Sequence, residues 1–123
     1  MRATIPVLML AMLAGSLAAA AGEADVENVR VTAAPGGTYR FDVTVRHADE
    51  GWDHYADRWE VVGDGGEVHA TRVLLHPHVD EQPFERSEAG VAIPDGIAKV
   101  TVRAHDSVHG FGGKEMTVPL PGR

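Results

Sequence analysis

The chain holds seven histidines, at His47, His54, His69, His76, His78, His105 and His109, and six of them fall in three short runs. The runs are HADEGWDH over 47–54, HPH over 76–78 and HDSVH over 105–109. Each run contains or adjoins acids: Asp49, Glu50 and Asp53 in the first, Asp80 and Glu81 after the second, Asp106 in the third. Neutral imidazole is a ready metal ligand near pH 7. Several imidazoles with a carboxylate and no sulfur suit iron(II), zinc(II), copper(II) or nickel(II). The chain has no cysteine, which excludes both a thiolate site and a disulfide framework. Met116 is the one methionine after residue 21 and reads as core, so a soft copper(I) site is disfavoured. A single loop histidine more often caps a turn or sits in solvent, and only convergence of the three runs would make a metal centre.

Convergence depends on the strands between the runs. Tyr39, Phe41, Val43 and Val45 alternate with Arg40, Asp42, Thr44 and Arg46, the pattern of a half-buried strand. His47 continues its apolar face. A second strand runs from Tyr55 to Val62, and the same alternation puts Asp57 on the inward side with Trp59 and Val61. Upstream, VENVRV predicts a first strand with Val29 and Val31 inward. Downstream come strands over 68–75, 84–93, 98–106 and 116–120. The turns between them are Pro35-Gly36-Gly37, Gly63 to Gly66 and Pro94-Asp95-Gly96, all rich in residues that accept positive φ or fix a bend. The mixed parity of 68–75 marks an edge strand, and His69 reads as a surface residue on it. Residues 107–113, with three glycines, read as a loop; a backbone anion cradle at Gly110 to Lys114 is the lesser reading there.

Seven short strands at about ten-residue spacing predict an all-β fold, an immunoglobulin-like β-sandwich. A small closed barrel is the alternative. In such a sandwich the connections after the second, fourth and sixth strands emerge at one end. They carry His47 and His54, then His76 and His78, then His105 and His109. By parity His47 and Asp106 point into the mouth of the core, and His105 points outward. Asp53 and Asp57 read as solvated acids or as partners orienting His54.

Composition bounds the rest. Residues 1–21 have a basic start, an apolar run from Ile5 to Leu17 and small residues at 18–22, the pattern of a secretory signal peptide. The expected domains are therefore the signal peptide at 1–21 and one sandwich at 22–123, periplasmic or secreted, with no membrane span in the mature chain. The formal net charge of −7, with Lys99 and Lys114 the only lysines, argues against nucleic acid or anionic lipid as partner. The partner expected is a metal or a small molecule.

The run VTVRHADEGWDHYADRWEVV resembles the iron-binding segment of the superoxide reductases, the desulfoferrodoxin and neelaredoxin family. There a strand ends in a histidine, a second histidine follows a short loop, and an aromatic-rich strand continues. HDSVHGFGG is similar to the family's C-N-x-H-G segment. The resemblance spans at most residues 41–112. It implies an immunoglobulin-like fold, iron as the metal, and His47, His54 and His109 as equatorial ligands. Asp106 stands where the family has its axial cysteine. The family's N-terminal histidine ligand has no counterpart before His47, so His76 or His78 would take its place. Two readings follow: an exported mononuclear metal centre, redox-active as a superoxide reductase-like oxidoreductase or serving as a copper or zinc carrier; and a non-catalytic interaction module of a periplasmic complex.

Overall fold

The computed structural model describes residues 22–123, so the expected signal peptide at 1–21 lies outside the described residues. The described residues form eight strands: β1 Asp25–Ala34, β2 Thr38–Arg46, β3 Ala56–Val62, β4 Val68–Val73, β5 Phe84–Ala92, β6 Lys99–Asp106, β7 Gly110–Phe111 and β8 Met116–Pro119. One antiparallel sheet has the order β1-β2-β5. The other runs β4-β3-β6, with β7 and β8 both pairing β6 antiparallel. The fold is an all-β sandwich. Among the described residues no helix is long and apolar enough to cross a membrane.

The alternation read from sequence accounts for the core. Phe41, Val43 and Val45 of β2 and Val100, Val102 and Ala104 of β6 are buried, and face each other with Trp59 and Val61 of β3, Phe84 of β5 and Leu120. The polar face of β2 is quiet: Asp42, though buried, is held by Arg30 and Arg40 and by the Ser87 hydroxyl. β4 is an edge strand, as its mixed parity implies.

Four expectations change. A bulge between Ala56 and Arg58 shifts the β3 register against β6. It puts Ala56 in the core and turns Asp57 outward, where its carboxylate oxygen lies 2.6 Å from His105 Nδ1. A second bulge, between Val26 and Asn28, buries Ala24 and Val26 fully while Val29 and Val31 only pack against the core. A bulge inverts side-chain parity beyond it, and alternation alone cannot foresee one. His69 is not a free surface residue: 9% of its side chain is exposed, because Glu67 and the Gly63 turn fold over it. Within the expected loop at 107–113, Gly110–Phe111 pairs with His105 and Asp106, and Phe111 lies against His105 and Arg103.

Trp59 is the largest fully buried side chain. Trp59→Ala should cost about 3–5 kcal/mol, a large share of the ~5–15 kcal/mol that holds a domain of this size. Urea unfolding should show the midpoint falling with the slope unchanged; a midpoint near wild type would mean that the indole is not at the centre of the core.

Candidate metal centre

Three strand ends meet at one pole. His47 follows the last residue of β2, His54 lies two residues before β3, and Asp106 ends β6. β2 belongs to one sheet and β3 and β6 to the other, so the cluster closes the mouth between the two sheets. Asp106 is fully buried, and the ligating atoms of His47, His54 and Asp106 all lie within 4.8 Å of one another.

The Asp106 carboxylate is the focus. Its Oδ2 lies 2.9 Å from His47 Nε2, 3.1 Å from His54 Nε2 and 3.1 Å from His109 Nδ1. Its Oδ1 accepts the backbone N–H groups of Val108, at 2.8 Å, and of His109. The turn after β6 therefore wraps the acid and carries His109 back to it. Burial opposes ionisation of Asp106. The main-chain and ring N–H groups of His109, the Val108 N–H and His54 outweigh it and hold the carboxyl well below the usual carboxylate range.

The far ring nitrogens of the two buried imidazoles are also fixed. His47 Nδ1 lies 2.6 Å from Asp49 Oδ1, and His54 Nδ1 lies 3.0 Å from Glu50 Oε1. Asp49 is buried and does more than orient His47. Its Oδ1 also accepts the Ala56 N–H at 2.9 Å, and its Oδ2 accepts the His78 N–H at 2.7 Å. It ties the end of β2, the start of β3 and the β4–β5 connection together. Burial disfavours a charged His47, yet Asp49 and Asp106 raise its pKa; burial likewise opposes charge on His54, and Glu50 and Asp106 raise it. An imidazole with a carboxylate at each nitrogen has two chemically sensible states. Either it carries both protons as a cation, or Nδ1–H faces its carboxylate and the Nε2 lone pair faces a metal ion.

The donor set fits an ion. Two Nε2 atoms and a carboxylate oxygen converge without sulfur, a set that could hold a divalent first-row metal, and His109 Nδ1 lies beside the same carboxylate. Their 2.9–3.1 Å separations from Asp106 Oδ2 are hydrogen-bond distances, and they also match neighbouring ligands on an octahedral ion with bonds of about 2.1 Å. A carboxylate behind each buried imidazole is the usual support of a metal-bound histidine.

The expected residues divide. His47, His54, His109 and Asp106 come together, with His109 at the rim, 38% of its side chain exposed. His76 and His78 do not join them. The His78 ring stacks on Phe84 at 4.0 Å, and its Nε2 faces Arg86 at 2.8 Å; burial and that guanidinium lower its pKa. His76 is exposed, beside His78. The HPH run is pulled away because Asp49 captures the His78 backbone while Phe84 supplies an apolar floor for the ring. His105 faces outward to Asp57, and Asp53 is exposed and orients nothing. Sequence reading missed Asp49 and Glu50 as the orienting acids; their spacings, two after His47 and four before His54, were the available signal.

A protein of Halomicrobium mukohataei named "Putative lipoprotein" is 44% identical to the chain over 96 residues, which are 78% of this chain and 47% of that protein. The chain thus spans about half the length of the relative it matches. The chain matches no family model, and no solved structure matches it.

Two outcomes follow from the geometry. Asp49→Ala removes the acceptor of three buried donors and should cost about 3–5 kcal/mol, read as a lowered urea midpoint; Glu50→Ala, at an exposed carboxylate, should cost under ~1 kcal/mol. In metal-free protein the raised pKa values of His47 and His54 contribute stability that is complete below about pH 6.5 and is lost as pH rises through their folded values. The lowered pKa values of Asp49 and Asp106 contribute stability present above about pH 3.9 and lost as pH falls through their folded values. Melting temperature in chelator should therefore peak between these limits and fall by roughly 4–8 °C per kcal/mol lost on the alkaline side. A melting temperature that climbs steadily from pH 6 to 9 would contradict the paired-imidazolium description.

Proposed function

We propose that this chain is an exported metal-binding domain whose pole holds one transition-metal ion through His47 Nε2, His54 Nε2, His109 Nδ1 and the Asp106 carboxylate. The observation that carries the reading is that both buried imidazoles have their Nδ1 on a carboxylate and their Nε2 turned to Asp106. Export is supported by the leader-like residues 1–21 and by the name of the Halomicrobium mukohataei relative, a lipoprotein. The strand orders β1-β2-β5 and β4-β3-β6-β8 support the immunoglobulin-like description.

Iron is the metal proposed, from the resemblance to superoxide reductases, and the role proposed is that of a redox centre. A bound iron ion supplies a one-electron couple. The protein's part is positional. Asp49 and Glu50 keep protons at Nδ1 of His47 and His54, which leaves both Nε2 lone pairs free. Asp106 contributes the negative charge that the family's cysteine contributes there, through a harder and less electron-donating atom. The core walls exclude water on the inner side, while the exposed edge of His109 leaves the outer side open to a small molecule. Zinc or copper carriage uses the same donor set without the redox step.

A second reading is favoured by a separate observation. Trp52, Leu75, Val79 and Val108 are more than half exposed, and all lie on the three loops at this same pole. An apolar rim of this kind suits contact with another protein, and the chain corresponds to about half of a longer relative.

Metal analysis of untagged protein separates the two. About one equivalent of iron is expected in the wild type and none in a folded His47→Ala/His54→Ala/His109→Ala variant, and chelator should lower the melting temperature reversibly. His76→Ala should keep the metal. In the iron-loaded protein Asp106→Cys should bring in thiolate-to-iron absorption. Wild type that binds no iron, zinc or copper on reconstitution would sink the metal reading and leave the interaction module.

A further inference from the structure

The N-terminal segment 22–25 packs against the metal pole, and its placement is built into the sequence. Ala24 is fully buried, the Val26 N–H donates to the Lys114 carbonyl at 2.8 Å, and Asp25 Oδ1 accepts the Lys114 N–H at 2.7 Å. The segment lies across Gly112 and Gly113, which act as its seat. A Cβ on Gly113 would stand 2.0 Å from the Ala24 carbonyl oxygen, and one on Gly112 would stand 2.9 Å from Glu23 Cγ. The close backbone approach at Gly113 admits only glycine, whereas at Gly112 the neighbour is a side chain that can move. The GFGG run thus serves as a bed for a strap, not as an anion cradle.

The strap delivers one polar atom to the site. The Gly22 carbonyl oxygen lies 3.1 Å from His47 Nε2, the same ring atom that is 2.9 Å from Asp106 Oδ2. That nitrogen carries at most one proton, yet two oxygens approach it at nearly equal distance. Neither His76 nor His78 reaches the cluster, and the position beside His47 Nε2 is filled by this main-chain oxygen. We infer that Gly22, through its carbonyl oxygen, is a further ligand of the ion held by His47, His54, His109 and Asp106, and that residues 22–25 are the strap that completes the site. The inference rests on the metal reading above. A neutral, hard carbonyl oxygen adds no charge to the site and favours a divalent ion such as iron(II) or cobalt(II) over a soft monovalent one.

Gly113→Ala tests it, because the added methyl must displace the Ala24 carbonyl while every ligating side chain stays. Asp25→Ala, which frees the Lys114 N–H and loosens the strap without crowding it, guards against misfolding of the first variant. Gly112→Ala, which meets only the flexible Glu23 side chain, is the control. Each full-length variant is titrated with cobalt(II) alone, and the visible absorption of the bound ion reports its coordination. The expected result is affinity at least tenfold weaker, with an altered cobalt spectrum, in Gly113→Ala and Asp25→Ala, while Gly112→Ala stays near wild type. Wild-type affinity and spectrum in both strap variants would overturn the inference and leave the four-residue site standing. Failure of wild type itself to bind cobalt(II), zinc(II) or iron(II) would overturn both together.

Discussion

A fully buried carboxylate governs the pole of this sandwich. Asp106 lies at the mouth between two apolar sheets, where an isolated charge would be prohibitively costly. Everything around it answers that cost. Two backbone N–H groups occupy one oxygen and three imidazole nitrogens surround the other. The imidazoles come from both sheets, so satisfying the acid also clamps the sheets at this end. The two descriptions of the site, a charged imidazole cluster and a metal centre, are two ways of supplying the same positive charge, from protons or from an ion. They respond oppositely to pH, since metal ligation requires imidazoles that have lost the second proton.

Asp49 extends this logic outward. It is itself buried, and it takes three donors, one each from His47, Ala56 and His78. The β2–β3 loop and the β4–β5 connection are therefore tied to the centre by one side chain. Gln82 adds a second tie, accepting the His47 N–H and donating to the His78 carbonyl. A loop held at this many points is a stiff support. Stiffness matters for a site whose donors must hold about 3 Å spacings, because a ligand set left to mobile loops loses geometry and affinity together.

The opposite rim is exposed by comparison. His109 is partly exposed, and apolar side chains stand in solvent on the loops beside it. The strap from Gly22 closes one flank, seated on Gly112 and Gly113. The pole is thus buried where the sheets meet and exposed where His109 stands.

The sequence by itself determined the all-β sandwich and the approximate positions of seven of its strands, because those rest on period-two alternation between turn residues, and it brought the strand ends that carry His47, His54 and Asp106 to one pole. Tertiary structure decided what alternation cannot carry. The bulge in β3 reversed Asp57 and gave it to His105, since one inserted residue inverts parity with no sequence mark of its own. His76 and His78 left the cluster because Phe84 and Arg86 offered the His78 ring a better place, a competition between contacts remote in the chain. Asp49 became the central tie, and not one more loop acid, only when three donors from separate elements converged on it. The strap found its seat for the same reason: a glycine pair reads as a loop until the backbone that lies across it is known.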